Sequence, residues 1–521
     1  MCYNCNLLVD TRDNFKFSCH AGERLSEIVT KNVLGVGRMK TAQEYIDSMG
    51  KLQPELYMFG ERITNRLDHP IIRPTMNCMA ATYELAEESK FPQYQRIMTA
   101  ASHLTGKRIN RFCHIHRSIE DLVYKSKMGR ILGAYTGSCF QRCVGMDSLN
   151  ALSIVTYDID HKYGTEYNKR FLKYLEYVQE EDLVCCGAMT DPKGDRSLRP
   201  AEQADRDQYL RVVEEKSDGI VVRGAKLHQT GAVNSHEIIC MATRAMREED
   251  KDYAISFALP MDTEGIIYIY GRQSCDTRKM ESGGMDVGNL LYGGQECMVV
   301  LNDVFVPWER VFMYKEWEFA ADLVEEFASY HRQSYACKCG IGDVLIGATQ
   351  LLAEYQGTSK ASHIKDIILE MIQLNETMIS CSLACAYEGH KEPSGTYFVN
   401  TLFANVAKLN VTRFPYEMAR LAQEVAGGSL VTMPSEKDLE HSRIGKYVAK
   451  YLKGVEDVPI ENRIRILRLI ENITLGLGAV CYLTESMHGA GSPQAQKIMI
   501  GRRANIDSMK KAAKRLCGID S

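Results

Sequence analysis

The feature that most constrains the fold is a change of texture along the chain. From about residue 41 to residue 180 apolar side chains recur at helical intervals, and Thr41 precedes Glu44 at the spacing of a capping box. Between about 183 and 310, short runs rich in β-branched and aromatic residues alternate with Gly, Asp and Pro. Examples are 253–257, 266–270 and 298–301. Helical patterns return after about residue 314, so we expect an α+β fold with its sheet in mid-chain.

The same change of texture predicts the domain organisation. A chain of 521 residues is longer than a single core usually spans. We expect an N-terminal extension at 1–38, a helical N-terminal domain at 39–182, a central β domain at 183–313 and a C-terminal helical bundle at 314–521. Cys2, Cys5 and the pair Cys19-His20 lack the paired spacing of a zinc knuckle, which favours an extension over a metal module.

Composition narrows the class of protein. With 45% hydrophobic and 25% charged residues and a net charge of −4, the chain offers no basic field for nucleic acid or an acidic membrane. Its most apolar stretch, 473–483, contains glycines and is too short to cross a bilayer. Eighteen cysteines without a signal-like N-terminus indicate reduced thiols or metal ligands. We therefore expect a cytoplasmic protein without a nucleic-acid or membrane partner.

Two separated motifs supply three thiols and one imidazole. Cys139 and Cys143 lie four residues apart, and His331 stands six residues before Cys337. That is the ligand count of an iron–sulfur cluster with one labile iron, which can act as a Lewis acid. Buried core cysteines are the competing interpretation, and a second pair, Cys381 and Cys385, has identical spacing on a helical segment. Spacing alone leaves both open.

The surrounding residues separate these interpretations. Several specific strings follow one another along the chain: SCFQRCVGMD, GAMTDPKGDRS, VVRGAKLHQTG, YGRQSCDTRK, GGQE, HRQSY, TRFPYE and TESMHGAGSPQAQ. From about residue 39 to the C-terminus the chain resembles the 4-hydroxybutyryl-CoA dehydratases, within the 4-hydroxyphenylacetate 3-hydroxylase-like flavoproteins. The resemblance implies an acyl-CoA dehydrogenase-like architecture with a C-terminal four-helix bundle.

The resemblance also implies an activity and its cofactors. The expected reaction is dehydration of 4-hydroxybutyryl-CoA to crotonyl-CoA, with isomerisation of vinylacetyl-CoA as a companion activity. The implied cofactors are FAD, which generates substrate radicals, and a [4Fe-4S] cluster, which acts as a Lewis acid. An acyl-CoA substrate, a homotetramer and an oxygen-poor setting are implied as well. A flavin-dependent aromatic hydroxylase of the same fold and a non-catalytic flavin and iron–sulfur redox protein remain alternatives.

The implied cluster ligands are Cys139, Cys143, His331 and Cys337. The chain departs from the family here, because only Ala336 separates Tyr335 from Cys337 where two residues are expected. A second thiol, Cys339, lies two residues further on. The following residues align without gaps when Cys337 is the ligand, which favours Cys337.

The flavin contacts implied by the resemblance are Ala188, Met189, Thr190, Asp191, Gln229, Thr230, Arg272, Gln273, Gly427 and Gly428. Residues 191–194 alone read as a turn, and the glycine pair reads equally well as a helix cap. An arginine fork suits a pyrophosphate, although a surface salt bridge is the alternative. No GxGxxG follows a predicted strand, which disfavours a Rossmann nucleotide site.

The implied catalytic residues are His331, Glu485, Glu296, Tyr335, Lys338 and Gln141. An imidazole titrates near neutrality, and burial can raise the pKa of a carboxyl enough for proton transfer near pH 7. Without the motifs, a lone glutamate is usually solvated and a lone histidine usually structural. Glu485 and His331 are the favoured proton-transfer groups, in either order.

Overall fold

The computed structural model describes residues 7–10, 14–17, 39–281 and 283–519. Strands Leu7–Asp10 and Asn14–Phe17 pair in an antiparallel hairpin. The rest of the predicted N-terminal extension, with Cys2, Cys5, Cys19 and His20, lies outside the described residues.

The N-terminal part is mainly helical, as predicted. The capping box is confirmed, since Thr41 Oγ1 accepts from the Glu44 amide at 3.2 Å and Glu44 Oε2 from the Thr41 amide at 2.9 Å. The helices are Ala42–Gly50, Ile72–Glu84, Gln95–Met98, Ile119–Thr136, Cys143–Tyr163 and Tyr167–Glu180. Two short strands, Thr99–Ala101 and Arg108–Asn110, pair between them.

The middle of the chain folds into two sheets. The four-stranded sheet has the order Val311–Tyr314, Ile255–Pro260, Glu237–Cys240 and Cys185–Ala188. The six-stranded sheet has the order Glu61–Arg62, Glu55–Met58, Ile266–Tyr270, Glu296–Pro307, Gly219–Thr230 and Arg211–Lys216. The three predicted β runs all contribute strands.

The β structure also recruits a segment expected to be helical. Strand Glu55–Met58 pairs in parallel with Ile266–Tyr270, so the chain between the first two helices completes one edge of the six-stranded sheet. Leu56 and Met58 are buried there while their neighbours are half-buried, an alternation of period two that places one strand face in the core.

The C-terminal part returns to helices. They are Ala320–Ser334, Cys337–Tyr355, Ser362–Tyr387, Thr401–Val411, Phe414–Ala426, Ser429–Thr432, Glu436–Glu440, Gly445–Tyr451, Ile460–Thr474, Glu485–His488, Pro493–Arg503 and Ile506–Leu516. A small hairpin joins His390–Lys391 to Tyr397–Phe398. Four of the helices, Cys337–Tyr355, Ser362–Tyr387, Phe414–Ala426 and Ile460–Thr474, pack on one another around a shared apolar core.

One helix start differs from the sequence-based expectation. The pattern at 411–425 predicts a single helix, but Val411 ends one helix and Phe414 begins the next. Pro415 stands in the first turn of the second helix, where its missing amide costs no hydrogen bond. The predicted cap is confirmed, because Gly427 has φ +63° and its amide bonds to Gln423 O.

One stretch of the described residues, Trp317–Tyr355, is long and apolar enough by length and composition to cross a membrane. Within its most apolar window 67% of the residues are buried inside the protein. It comprises helix Ala320–Ser334 and helix Cys337–Tyr355, which packs in the four-helix core.

Candidate active site

Cys139 and Cys143 lie at the two ends of a tight turn that leads into a helix. Helix Ile119–Thr136 ends at Gly137, which has φ +58°, and Cys143 is the first residue of helix Cys143–Tyr163. Cys139 therefore lies in the connecting loop, so the two thiols do not share a helix as their spacing suggested. Both are buried.

Gln141 shapes the loop between these cysteines. It has φ +66°, a left-handed conformation that is uncommon outside glycine. Its buried amide donates from Nε2 to Thr75 O at 2.9 Å and Gly293 O at 3.2 Å, and Oε1 accepts from Asn234 Nδ2 at 3.0 Å. With every polar atom engaged, Gln141 fixes the turn that separates the two thiols.

Cys337 and Cys339 point to different cores. Cys337 opens helix Cys337–Tyr355 and belongs to the same buried cluster as Cys143 and Phe140. Cys339 belongs to the four-helix core, with its Sγ 3.6 Å from Asn375 O. Positions two apart on a helix diverge by about 200°, which explains why only one thiol faces Cys143.

Burial dominates the electrostatics of the three thiols. It raises the pKa of Cys139, Cys143 and Cys337, and the charge of Lys338 opposes that rise at all three. Such thiols become thiolates only when positive charge compensates them, as a bound metal does. All described cysteines are free of disulfides.

These residues fit a cluster by the chemistry of their donors. In the described part of the chain, no three Cys, His, Asp or Glu side chains surround a single-ion site. A [4Fe-4S] cluster differs because each protein ligand binds its own iron, so its donors surround a larger volume. Three buried free thiols and one imidazole supply the donors that such a group requires.

His331 is held by a buried carboxylate. Its Nδ1 lies 2.9 Å from Asp147 Oδ2, which also accepts from Ser334 Oγ at 2.8 Å. Lys125 Nζ lies 2.7 Å from Asp147 Oδ1. Burial alone would raise the pKa of Asp147, but Lys125 and His331 hold it below its usual value. No described residue hydrogen-bonds to the other ring nitrogen, Nε2.

Glu485 and Glu296 form a carboxyl pair beside a buried lysine. Lys338 Nζ donates to Glu485 Oε2 at 2.8 Å, and Thr230 Oγ1 donates to Glu296 Oε1 at 2.6 Å. Burial and the adjacent Glu485 raise the pKa of Glu296 well above its usual value. Burial would lower the pKa of Lys338, but Glu485 and the neighbouring side chains of Cys337 and Cys139 hold it well above its usual value. The arrangement thus places a carboxyl group with a raised pKa, Glu296, beside one that is paired with a lysine, Glu485.

Tyr335 links this pair to a second buried lysine. Its hydroxyl donates to Glu485 O at 3.2 Å, and Lys408 Nζ lies 4.4 Å from the centre of its ring. Lys408 Nζ also donates to Ser486 O at 2.6 Å. Burial, reinforced by Lys338 and Arg332, lowers the pKa of Lys408 well below its usual value. Tyr335 therefore positions the turn that carries Glu485.

The proposed flavin contacts fall into two groups. The residues of the first group are buried or half-buried, and two of them contact Lys226. Ala188 is the last residue of a buried strand, and Asp191 forms an ion pair with Lys226 at 2.8 Å. The side-chain amide of Gln229 donates to Leu227 O. Thr230 reaches Glu296, and Met189 O accepts from Lys226 Nζ at 3.0 Å. Thr190 is half-buried beside them. Arg272, Gln273, Gly427 and Gly428 are instead exposed.

The second cysteine pair lies elsewhere. Cys381 and Cys385 sit on helix Ser362–Tyr387 and pack against the cluster around Phe398 and Ala404. Asn410 Nδ2 lies 3.5 Å from Cys381 Sγ. These contacts are those of core cysteines.

Sequence reasoning missed four residues of this region: Lys125, Asp147, Lys408 and Cys481. Asp147 was within reach, because it closes the string SCFQRCVGMD and stands one helical turn after Cys143. Cys481, a buried thiol 3.7 Å from Ser138 Oγ, precedes Glu485 by four residues. Lys125 and Lys408 carry no local signal, since an isolated lysine on a helix usually faces solvent.

Comparison with known proteins shows the family to which the chain belongs. Models of the 4-hydroxyphenylacetate 3-hydroxylase N-terminal and C-terminal regions match residues 41–313 and 320–518. The chain therefore belongs to the 4-hydroxyphenylacetate 3-hydroxylase family. A 4-hydroxybutyryl-CoA dehydratase/vinylacetyl-CoA-Δ-isomerase from Clostridium aminobutyricum is 56% identical over 491 residues, 92% of this chain and 100% of that protein. The resemblance inferred from the motif strings is confirmed.

Solved structures give the same result. An oxygen-tolerant archaeal 4-hydroxybutyryl-CoA dehydratase from N. maritimus is 53% identical, with a TM-score of 0.91 over 93% of this chain and 96% of that chain. The oxygenase component of 4-hydroxyphenylacetate 3-monooxygenase, complexed with FAD, has 24% identity and a TM-score of 0.78. That match covers 92% of this chain and 98% of the oxygenase, and it shows a shared fold.

Proposed function

We propose that this protein dehydrates 4-hydroxybutyryl-CoA to crotonyl-CoA and isomerises vinylacetyl-CoA. The relative at 56% identity is named for both the dehydratase and the isomerase activity, and the relative at 53% identity for the dehydratase activity. The observation that carries the proposal is the Glu296–Glu485–Lys338 group, which adjoins the buried thiols of Cys139 and Cys337. An aromatic hydroxylase does not require three thiols beside an acid–base pair.

The two proposed cofactors are needed because the substrate is unreactive at two positions. The β-proton of the substrate is not acidic, and the 4-hydroxyl group is a poor leaving group. When bound, FAD supplies one-electron exchange and a [4Fe-4S] cluster supplies a Lewis acid. Cys139, Cys143, Cys337 and His331 are the proposed cluster ligands, and residues 188–191, 229–230, 272–273 and 427–428 the proposed flavin contacts.

The protein's own groups then move protons. We assign the two proton abstractions, at the α- and β-carbons, to Glu485 and to Nε2 of His331 when that nitrogen is not a ligand. One of these protons returns to the carbon that loses the hydroxyl group and the other goes to the departing hydroxide, so that crotonyl-CoA and water form. Lys338 Nζ lies 2.8 Å from Oε2 of Glu485 and holds that carboxyl group in place for proton transfer. Glu296, which carries a raised pKa, keeps its proton beside Glu485 and accepts from Thr230. Tyr335 holds the backbone of Glu485.

Further expectations belong to the same proposal. The four-part division of the chain follows from its change of texture and the cytoplasmic location from its composition, whereas the acyl-CoA dehydrogenase-like arrangement and the homotetramer follow from the resemblance. The exposure of Arg272, Gln273 and the Gly427-Gly428 pair suits contacts completed by a neighbouring subunit. Oxygen sensitivity is a separate prediction, because the archaeal relative is described as oxygen tolerant.

Cofactor analysis tests the proposal. Protein purified without oxygen is expected to contain about four iron and four sulfide ions per chain together with FAD. Cys139→Ser should lose most iron, whereas Cys381→Ser, the matched control from the other cysteine pair, should keep it. Flavin without iron or sulfide in the wild-type protein would favour the hydroxylase alternative.

A further inference from the structure

Asp147 is a fully buried carboxylate without a part in the proton transfers above. It lies one helical turn after Cys143, so both side chains project from the same face of helix Cys143–Tyr163. From that face it reaches across to His331 on helix Ala320–Ser334. One helix thus carries a candidate thiol ligand and the group that holds the candidate imidazole ligand.

One ion pair and two hydrogen bonds surround the carboxylate of Asp147. Lys125 Nζ contacts Oδ1 at 2.7 Å, while Ser334 Oγ and His331 Nδ1 meet Oδ2 at 2.8 and 2.9 Å. Lys125, itself buried, supplies the counter-charge that a buried carboxylate needs. A carboxylate that already receives two donors acts as the acceptor for the third. The ring proton of His331 therefore belongs on Nδ1, which leaves the Nε2 lone pair free.

We propose that Asp147 is a positioning residue that sets the tautomer and ring plane of His331 and thereby how tightly the histidine-bound iron is held. Phe327 restrains the same ring by stacking at 5.5 Å and 19°. Partners that hold a metal-binding histidine generally contribute to metal affinity in this way. The inference rests on the proposed function, since it presupposes the cluster.

Iron release tests the proposal without any activity assay. In Asp147→Asn an amide NH₂ can face Nδ1, which would place the ring proton on Nε2 and block ligation. Holoprotein purified without oxygen is mixed with bathophenanthroline disulfonate, and the rate of Fe²⁺ release is recorded. We expect release about 10- to 100-fold faster than in the wild type, with unchanged flavin content.

A paired variant protects the test against a folding failure. Asp147→Asn leaves Lys125 without a counter-charge, whereas Lys125→Met/Asp147→Asn removes both charges. The double variant should release iron as fast as Asp147→Asn.

A mutant cycle separates positioning from a general structural effect. If Asp147 acts through His331, adding Asp147→Asn to His331→Ala should accelerate release no further. Additive effects, or wild-type release rates in both Asp147 variants, would overturn the proposal. Absence of iron from the wild-type holoprotein would overturn the proposed function, whereas wild-type iron with unaltered release in the variants would overturn only this inference.

Discussion

Lys338 and Glu485 form an ion pair of 2.8 Å in which the lysine side chain is 1% exposed and the glutamate 15%. Lys338 is the second residue of helix Cys337–Tyr355, directly after the candidate ligand Cys337. Glu485 opens its own short helix after a π-helical turn, Val480–Thr484. The candidate cluster ligand Cys337 and the candidate base Glu485 are thus connected through Lys338, which follows Cys337 in the chain and pairs with Glu485.

Replacing Glu485 tests its role as a proton-transfer group. Glu485→Gln keeps the shape and the contact with Lys338 but removes the basic carboxylate. We expect turnover to fall at least about 100-fold while iron and flavin content stay unchanged. Steady-state assays under nitrogen measure the change, and near-normal turnover would remove Glu485 from the mechanism.

Two neighbouring thiols provide a matched test of the cluster. Cys337→Ser should lose most iron and all dehydratase activity, because the Cys337 side chain lies in the same group of buried apolar side chains as Cys143. Cys339→Ser should keep both, because Cys339 faces the four-helix core. Iron analysis of the two purified variants decides the matter. The reverse result would transfer the ligand to Cys339, and no loss in either would contradict the cluster.

The raised pKa of Glu296 predicts how stability depends on pH. The folded protein holds this proton above the usual glutamate value of 4.5, at which the unfolded chain releases it. The contribution of this proton to the free energy of unfolding is therefore complete below pH 4.5. As the pH rises from 4.5 toward the pKa of Glu296 in the folded protein, the free energy of unfolding falls by about 1.4 kcal/mol per pH unit. Glu296→Gln has no such loss.

The free energy of unfolding of Glu296→Gln should accordingly rise relative to the wild type between pH 5 and pH 8. Urea titrations of both proteins at the two pH values measure the difference. Thr230→Val serves as a control that removes the neighbouring hydroxyl and keeps the carboxyl. A difference between Glu296→Gln and the wild type that does not change with pH would show that the Glu296 pKa is ordinary.

Gln141 predicts an unusual ranking of substitutions. Gln141→Ala loses the bonds to Thr75, Gly293 and Asn234 and keeps a left-handed backbone, which costs a non-glycine residue about 1–2 kcal/mol. Gln141→Gly loses the same bonds without that cost. Chemical denaturation should therefore find the glycine variant more stable than the alanine variant, the opposite of the order within a helix.

Local patterns in the sequence predicted individual helices, strands and caps better than they predicted which of these elements pack or pair with one another. The Thr41 capping box, strand Ile266–Tyr270 and the cap at Gly427 follow from neighbouring residues alone. Strand Glu55–Met58 did not, because its local partner, Glu61–Arg62, is only two residues long and its other partner, Ile266–Tyr270, lies more than two hundred residues away. The residues next to this strand in the sequence carry no pattern that predicts a pairing with so distant a segment.

The site divides in the same way. The motif strings predicted Cys139, Cys143, His331 and Glu485 as site residues. Their spacing did not show that the turn at Gln141 puts Cys139 in a loop, before the helix that begins at Cys143. Lys408 is buried by the packing of helix Thr401–Val411 against Tyr335, which no pattern in its own segment encodes. Burial by distant segments is the information that a single sequence lacks.

The most direct measurement is turnover of 4-hydroxybutyryl-CoA by the purified protein in the absence of oxygen and of any added electron donor or acceptor. Because dehydration involves no net redox change, we expect crotonyl-CoA to form in the same amount as substrate is consumed, with Glu485→Gln as the inactive control. No crotonyl-CoA under these conditions, together with hydroxylation of 4-hydroxyphenylacetate when reduced flavin and oxygen are supplied, would contradict the account.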